Sequence, residues 1–167
     1  MSDAVRGETR SRTVTWEDPT PSLPRLATMT GLEAMQAVVS GDLPSSAFVE
    51  VLGIRATEVE EGRAVVVVRP EEHHGNPAGT VHGGVAAALL DSATWSAALT
   101  TIPAGSFCTT VQMSVNYLRP LPMNEEVRAE GHVIQRGRRT IVATGSIHTP
   151  DGKLCAHGTA TCMVIGG

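Results

Sequence analysis

The stretch from residue 82 to about 101 limits the possible folds of this chain more than any other. It reads as one long helix, rich in alanine and apolar on nearly every face. A helix with no polar side is normally buried. In a chain of 167 residues, such a helix is covered only if most of the remaining chain wraps it. The downstream sequence supplies the wrapping: residues 107–118, 125–135, 139–149 and 153–164 read as strands. Turn chemistry separates them, at Arg119-Pro120-Leu121-Pro122, Arg136-Gly137-Arg138 and Pro150-Asp151-Gly152,. Short connections make antiparallel neighbours. Upstream, 48–59 and 63–69 read as a hairpin turning at Glu61-Gly62 and ending at Pro70,. A shorter amphipathic helix over roughly 31–40 starts with a Thr30/Glu33 capping box and stops at Gly41,. The expectation is an α+β fold: one antiparallel sheet curled around one central helix.

Residues 1–28 are polar and carry Pro19, Pro21 and Pro24, which reads as a flexible extension ahead of a single domain over 29–167,. The net charge of −4 gives no global basic footprint, so nucleic acid is not expected as a partner. A membrane is not expected either, because the most apolar stretch, 81–99, is broken by His82, Asp91, Ser92, Thr94 and Ser96,. The N-terminus lacks the apolar run of a signal peptide. Cys108, Cys155 and Cys162 are odd in number and without CxxC spacing, which suits reduced thiols in a cytoplasmic protein,.

Chemistry concentrates between His74 and Asp91. His82-Gly83-Gly84 sits where the long helix begins. The first amides of a helix have no intrahelical partner, and with the helix dipole they form a donor site for a carbonyl oxygen gaining negative charge. Asn76 supplies an amide just before that site. Asp91 lies among Ala87, Ala88, Leu89, Leu90 and Trp95, where an ionisable group is costly unless it has partners or a task,. Gly83 and Asp91 are eight residues apart, about 12 Å along a helix. One small reacting group cannot touch both in the same chain. If they share a site, Asp91 comes from a second subunit, and a two-fold dimer with antiparallel central helices makes two composite sites.

Asn76, Gly79, His82-Gly83-Gly84 and Asp91, with Asn116-Tyr117-Leu118-Arg119-Pro120 and Arg136-Gly137-Arg138-Arg139 further on, resemble hotdog-fold acyl-CoA thioesterases of the phenylacetate-pathway type, relatives of 4-hydroxybenzoyl-CoA thioesterase. The resemblance runs from about residue 48 to 164. It implies a hotdog fold and hydrolysis of an acyl-CoA thioester to free acid and coenzyme A, with no cofactor and no metal. It implies that the Gly83 or Gly84 amide polarises the thioester carbonyl and that Asp91 acts as general base or nucleophile. Asn76 then positions the water or the thioester, and His82 shapes the loop and the carbonyl pocket. Thr110 corresponds approximately to a hydroxyl residue that assists the water in some members. Where some relatives have a Thr one turn after the acid, this chain has Trp95, which suggests a bulky wall of the acyl pocket. Arg119, Arg136, Arg138 and Arg139 are candidates for the coenzyme's phosphates. A homodimer, assembled further as a homotetramer (a dimer of dimers), is the implied state.

Each residue also has a plainer reading. Asn76-Pro77 is a common turn element, Gly83 and Gly84 suit close helix packing, Thr110 suits an ordinary strand position, and 136–139 suits a solvated hairpin tip. His73, His74 and His82 lack metal-ligand spacing. Two other functions remain open on the sequence: a non-catalytic acyl-CoA-binding hotdog module, which would not need Asp91, and a hotdog dehydratase or hydratase using His82 with Asp91.

Overall fold

The computed structural model describes residues 7–166; residues 1–6 of the polar extension lie outside that range. A turn of 3-10 helix over Thr20–Ser22 runs into α1 (Leu23–Leu26). Then follow α2 (Gly31–Ser40), α3 (Ala47–Leu52), β1 (Arg55–Glu60), β2 (Arg63–Val68), α4 (Gly83–Leu99), β3 (Ser106–Tyr117), β4 (Val127–Arg136), β5 (Thr140–His148) and β6 (Leu154–Gly166). The six strands form one antiparallel sheet in the order β1-β2-β4-β5-β6-β3. The sheet packs around α4, which is the hotdog arrangement expected from the sequence. Among the described residues, no helix is long and apolar enough to cross a membrane.

Every residue of α4 from Val85 to Leu99 is buried or half-buried. The first half of the helix, with Val85, Leu89 and Leu90, packs with Val66, Val68, Val127 and Ile147 of the sheet. The second half, with Ala98 and Leu99, packs with Met35, Cys108, Ile141 and Cys162. Glycines of the sheet let the helix sit this close, Gly131 and Gly145 above all. Gly131, Gly145 and Gly158 are register partners across β4, β5 and β6. A Cβ on Gly131 would stand 2.2 Å from the Ala93 carbonyl oxygen, and one on Gly145 2.9 Å from Thr94 Cγ2. At Gly131 the backbone of α4, and at Gly145 its Thr94 and Leu90 side chains, occupy the space where a side chain of the sheet would otherwise lie.

The capping box of α2 forms as the sequence predicts: Thr30 Oγ1 accepts from the Glu33 amide (3.2 Å) and Glu33 accepts from the Thr30 amide (2.8 Å). Gly41 ends the helix at φ 83°. The start of α2 presses on the end of α4, with the Gly31 amide donating to the Ile102 carbonyl at 3.1 Å.

One expectation is corrected. Residues 48–52 belong to α3 rather than to the first hairpin strand. Their β-branched content favours a strand, but Gly53 sits at φ 64° and its amide closes back onto Glu50. A left-handed glycine is a helix stop and has no place in a strand. Val49 and Leu52, three residues apart, pack against the core while Phe48 and Val51 face outward,. Hence the strand of this hairpin is only Arg55–Glu60.

Candidate active site

The loop from 71 to 82 delivers the start of α4. Its anchor is His74, which is buried. His74 Nδ1 accepts from the Glu71 amide (2.9 Å), and Nε2 faces the Leu52 carbonyl oxygen (3.0 Å). A carbonyl only accepts, so Nε2 carries the proton and the ring is neutral. Burial, and then the neighbouring His73, hold its pKa below the ordinary histidine value. The His74 carbonyl in turn accepts from the His82 amide (2.8 Å). Asn76 spends its side chain inside the loop. Its Oδ1 accepts from the Ala78 and Thr80 amides (2.9 and 3.2 Å), and its Nδ2 donates to Thr80 Oγ1 (2.9 Å). In this single chain the Asn76 amide builds the turn ahead of the helix.

His82 is the N-cap of α4, and its Nδ1 accepts from the Gly84 amide at 2.9 Å. This separates two residues that the sequence could not. The Gly84 N–H is consumed by the cap. The Gly83 N–H has no acceptor among the described residues, leaving it the available donor of the first turn. Gly83 lines a cavity of about 310 Å³ with Tyr117, Leu118 and Arg119. The Tyr117 ring passes 3.5 Å from the place a Gly83 Cβ would take.

Asp91 sits two turns further along, half-buried. Its Oδ1 accepts from Thr110 Oγ1 at 2.9 Å. That bond joins the middle of α4 to β3 beside a β-bulge, where the register shifts between Thr110 and Gln112. An ionised carboxylate only accepts, so the hydroxyl fixes one oxygen and leaves the other for a proton. Thr110 Oγ1 also lies 3.9 Å from Cys162 Sγ beneath it. Asp91 opens into a larger pocket of about 940 Å³, whose wall includes Ser92, Trp95 and Leu99 from the same side of α4. Trp95 is fixed there, its Nε1 donating to the Cys108 carbonyl (2.9 Å) and its ring 5.7 Å from that of Phe107.

The structure therefore brings Thr110 to Asp91 and puts Trp95 in the same pocket, while Gly83 lines a different cavity. The arginines divide likewise. Arg119 lines the Gly83 cavity and donates to the Leu154 carbonyl (2.7 Å). Arg136 donates to the Thr101 carbonyl (2.7 Å), past the other end of α4. Arg138 and Arg139 are exposed on the following turn, and the Arg139 carbonyl accepts from Val164. Four residues at the two cavities were given no role in the sequence reading. Tyr117 borders Gly83 because a β3 residue far away in sequence ends beside the helix start. Leu23 and Leu26 of the extension, with Met29 just after it, reach the large pocket; their three-residue spacing was the available signal, masked by the prolines around it.

Residues 78–156 match the thioesterase superfamily. Acyl-coenzyme A thioesterase 13 of Mus musculus is 31% identical over 100 residues, which cover 59% of this chain and 71% of that protein. A solved thioesterase from Haemophilus influenzae superposes with a TM-score of 0.68 at 28% identity, covering 73% of this chain and 85% of the other. The PaaI protein of the E. coli phenylacetic acid degradation operon superposes with a TM-score of 0.72 at 23% identity, over 84% of this chain and 97% of the other. That last likeness is one of fold.

Proposed function

The chain belongs to the thioesterase superfamily and is a thioester hydrolase; from that premise we propose that it hydrolyses acyl-coenzyme A thioesters at two composite sites of a homodimer. The observation that carries this reading is the arrangement along α4. An open amide at Gly83 and a carboxylate at Asp91 held by Thr110 line separate cavities of one chain. They stand eight positions apart on the helix, about 12 Å. A carbonyl polarised at Gly83 is thus beyond the reach of the same chain's Asp91, but a partner with its α4 antiparallel supplies one. The free edge supports such a partner. β3 ends the strand order and leaves Val111 and Tyr117 exposed, and an unpaired strand of this length is a template for another chain. A further pairing of dimers into a tetramer belongs to the same reading, as does a cytoplasmic location, which suits the three free cysteines,.

In the reaction, the Gly83 amide of one subunit donates to the thioester oxygen as it gains charge. Asp91 of the other removes a proton from water that attacks the carbonyl, or attacks directly to give an anhydride that water then opens. Coenzyme A leaves as the thiolate. His82 keeps Gly84 occupied, so that a single amide points the carbonyl. Asn76 acts by holding the loop that presents this amide, and Arg119, Arg136, Arg138 and Arg139 are the cations offered to the coenzyme's phosphates. No step calls for a metal or a cofactor.

Thiol release across a panel of aromatic and aliphatic acyl-CoAs tests the reading, with Asp91→Asn alongside. We expect turnover by the wild type and a loss of at least a hundredfold in kcat for the variant, with the fold intact. Near wild-type turnover by Asp91→Asn would reject the role of Asp91. Binding without turnover on every member would point to a non-catalytic module instead.

A further inference from the structure

The large pocket is longer than a small acid requires, and its far wall is made by a part of the chain that lies ahead of the matched family region. Along α4 its wall runs from Asp91 through Trp95 to Leu99. Eight residues of helix make this about 12 Å. Its wall also includes Leu23 and Leu26, apolar residues of the extension, with Met29 just after it and Met35 of α2. The volume of about 940 Å³ is at the upper end for a small-molecule site, roughly 300–1,000 Å³. Among the described residues, Asp91 is the one carboxylate in its wall.

The extension is held in place at several points. Arg25 donates to the Asp42 carbonyl (3.2 Å), and Arg12 donates to the Val51 carbonyl (3.3 Å) and meets His73. The Gly31 amide is bonded to Ile102 just past the end of α4. A Cβ on Gly31 would stand 1.8 Å from the Leu99 carbonyl oxygen, and one on Gly105 3.9 Å from the Ala27 carbonyl oxygen, so the chain that follows Leu26 lies against the end of α4, two turns beyond Asp91,.

Resting on the hydrolase reading above, we infer that the extension forms the end wall of the acyl pocket, and that this pocket takes straight-chain aliphatic acyl groups of about ten carbons or more, with Leu26 setting the length limit. An extended alkyl chain with C–C bonds of about 1.5 Å advances roughly 1.3 Å per carbon. With its carbonyl at Asp91, such a chain passes Trp95 and reaches Leu99 at about the ninth carbon. Further carbons lie against Leu26. Each methylene buried on this path raises affinity, up to about fourfold, until the end wall is met.

Two measurements on the full-length chain test this. The first is the affinity of non-hydrolysable S-alkyl-CoA thioethers carrying 4, 8, 12 and 16 carbons, read by titration calorimetry. The second is kcat/KM for the matching acyl-CoAs. For the wild type we expect both to rise with length to at least the 12-carbon member. Leu26→Trp should lower the ratio of the 12-carbon to the 4-carbon value at least tenfold, and Leu26→Ala should move the optimum to a longer chain. Opposite shifts from the two variants cannot come from simple loss of folding. A length profile unchanged in both variants, or a wild-type preference for the shortest members, would overturn the inference while leaving the hydrolase reading in place. A length-dependent thioether affinity that responds to Leu26, without turnover of any acyl-CoA, would sink the hydrolase reading and sustain the pocket.

Discussion

At the scale of single residues, the hydrogen bond from Thr110 Oγ1 to Asp91 Oδ1 decides what the acid is free to do. In the proposed mechanism the bond orients the carboxylate, which makes Thr110 a positioning residue. Its loss should appear in kcat and spare KM. We predict that Thr110→Val lowers kcat about tenfold, the equivalent of roughly 1.4 kcal/mol, with KM within about twofold, and that Thr110→Ser restores most of the rate. Steady-state kinetics of the two variants check this. Equal losses in both, or a change confined to KM, would show that the hydroxyl serves another purpose. Asp91 itself was legible in the sequence because a carboxylate amid alanine and leucine needs an explanation. Its bond to Thr110 was less so. Nineteen residues separate the two, and their meeting depends on a β-bulge that no local pattern announces,. The division of labour between Gly83 and Gly84 was hidden for a similar reason. It depends on which amide the His82 ring occupies.

At the scale of elements, α4 was the most legible part because an all-apolar helix admits one environment. The four later strands followed from the turn residues that separate them,. The α3 segment misled because Phe48, Val49 and Val51 favour strands taken singly, whereas the left-handed stop at Gly53 and the Val49/Leu52 spacing go with a helix,. The glycine row beneath α4 carries a stability prediction. Gly131→Ala places a methyl group 2.2 Å from the Ala93 carbonyl oxygen, so helix and sheet must separate. We expect a cost of about 2 kcal/mol and a melting temperature roughly 5 °C lower. Gly7→Ala, whose added methyl meets nothing within 4 Å, should leave the melting temperature unchanged. Thermal unfolding of the pair checks the close seating of the helix, and equal stability of both variants would contradict it.

At the scale of the whole molecule, the proposed mechanism needs two chains, because Gly83 and Asp91 stand about 12 Å apart along α4. The most direct test uses two variants that damage different halves. Asp91→Asn removes the base. Gly83→Pro removes the amide hydrogen at the first helical position, where proline is well tolerated and where the preceding His82 already has an extended backbone,. An added Cβ there meets the Tyr117 ring at an ordinary 3.5 Å. Each homodimer should be inactive. Co-folded in equal amounts, half of the dimers are mixed, and each mixed dimer holds one site with an intact Gly83 and an intact Asp91 from opposite chains. The account predicts recovery of about one quarter of wild-type thioesterase activity in the co-folded sample. No recovery, with mixed dimers shown to be present by mass spectrometry, would contradict it.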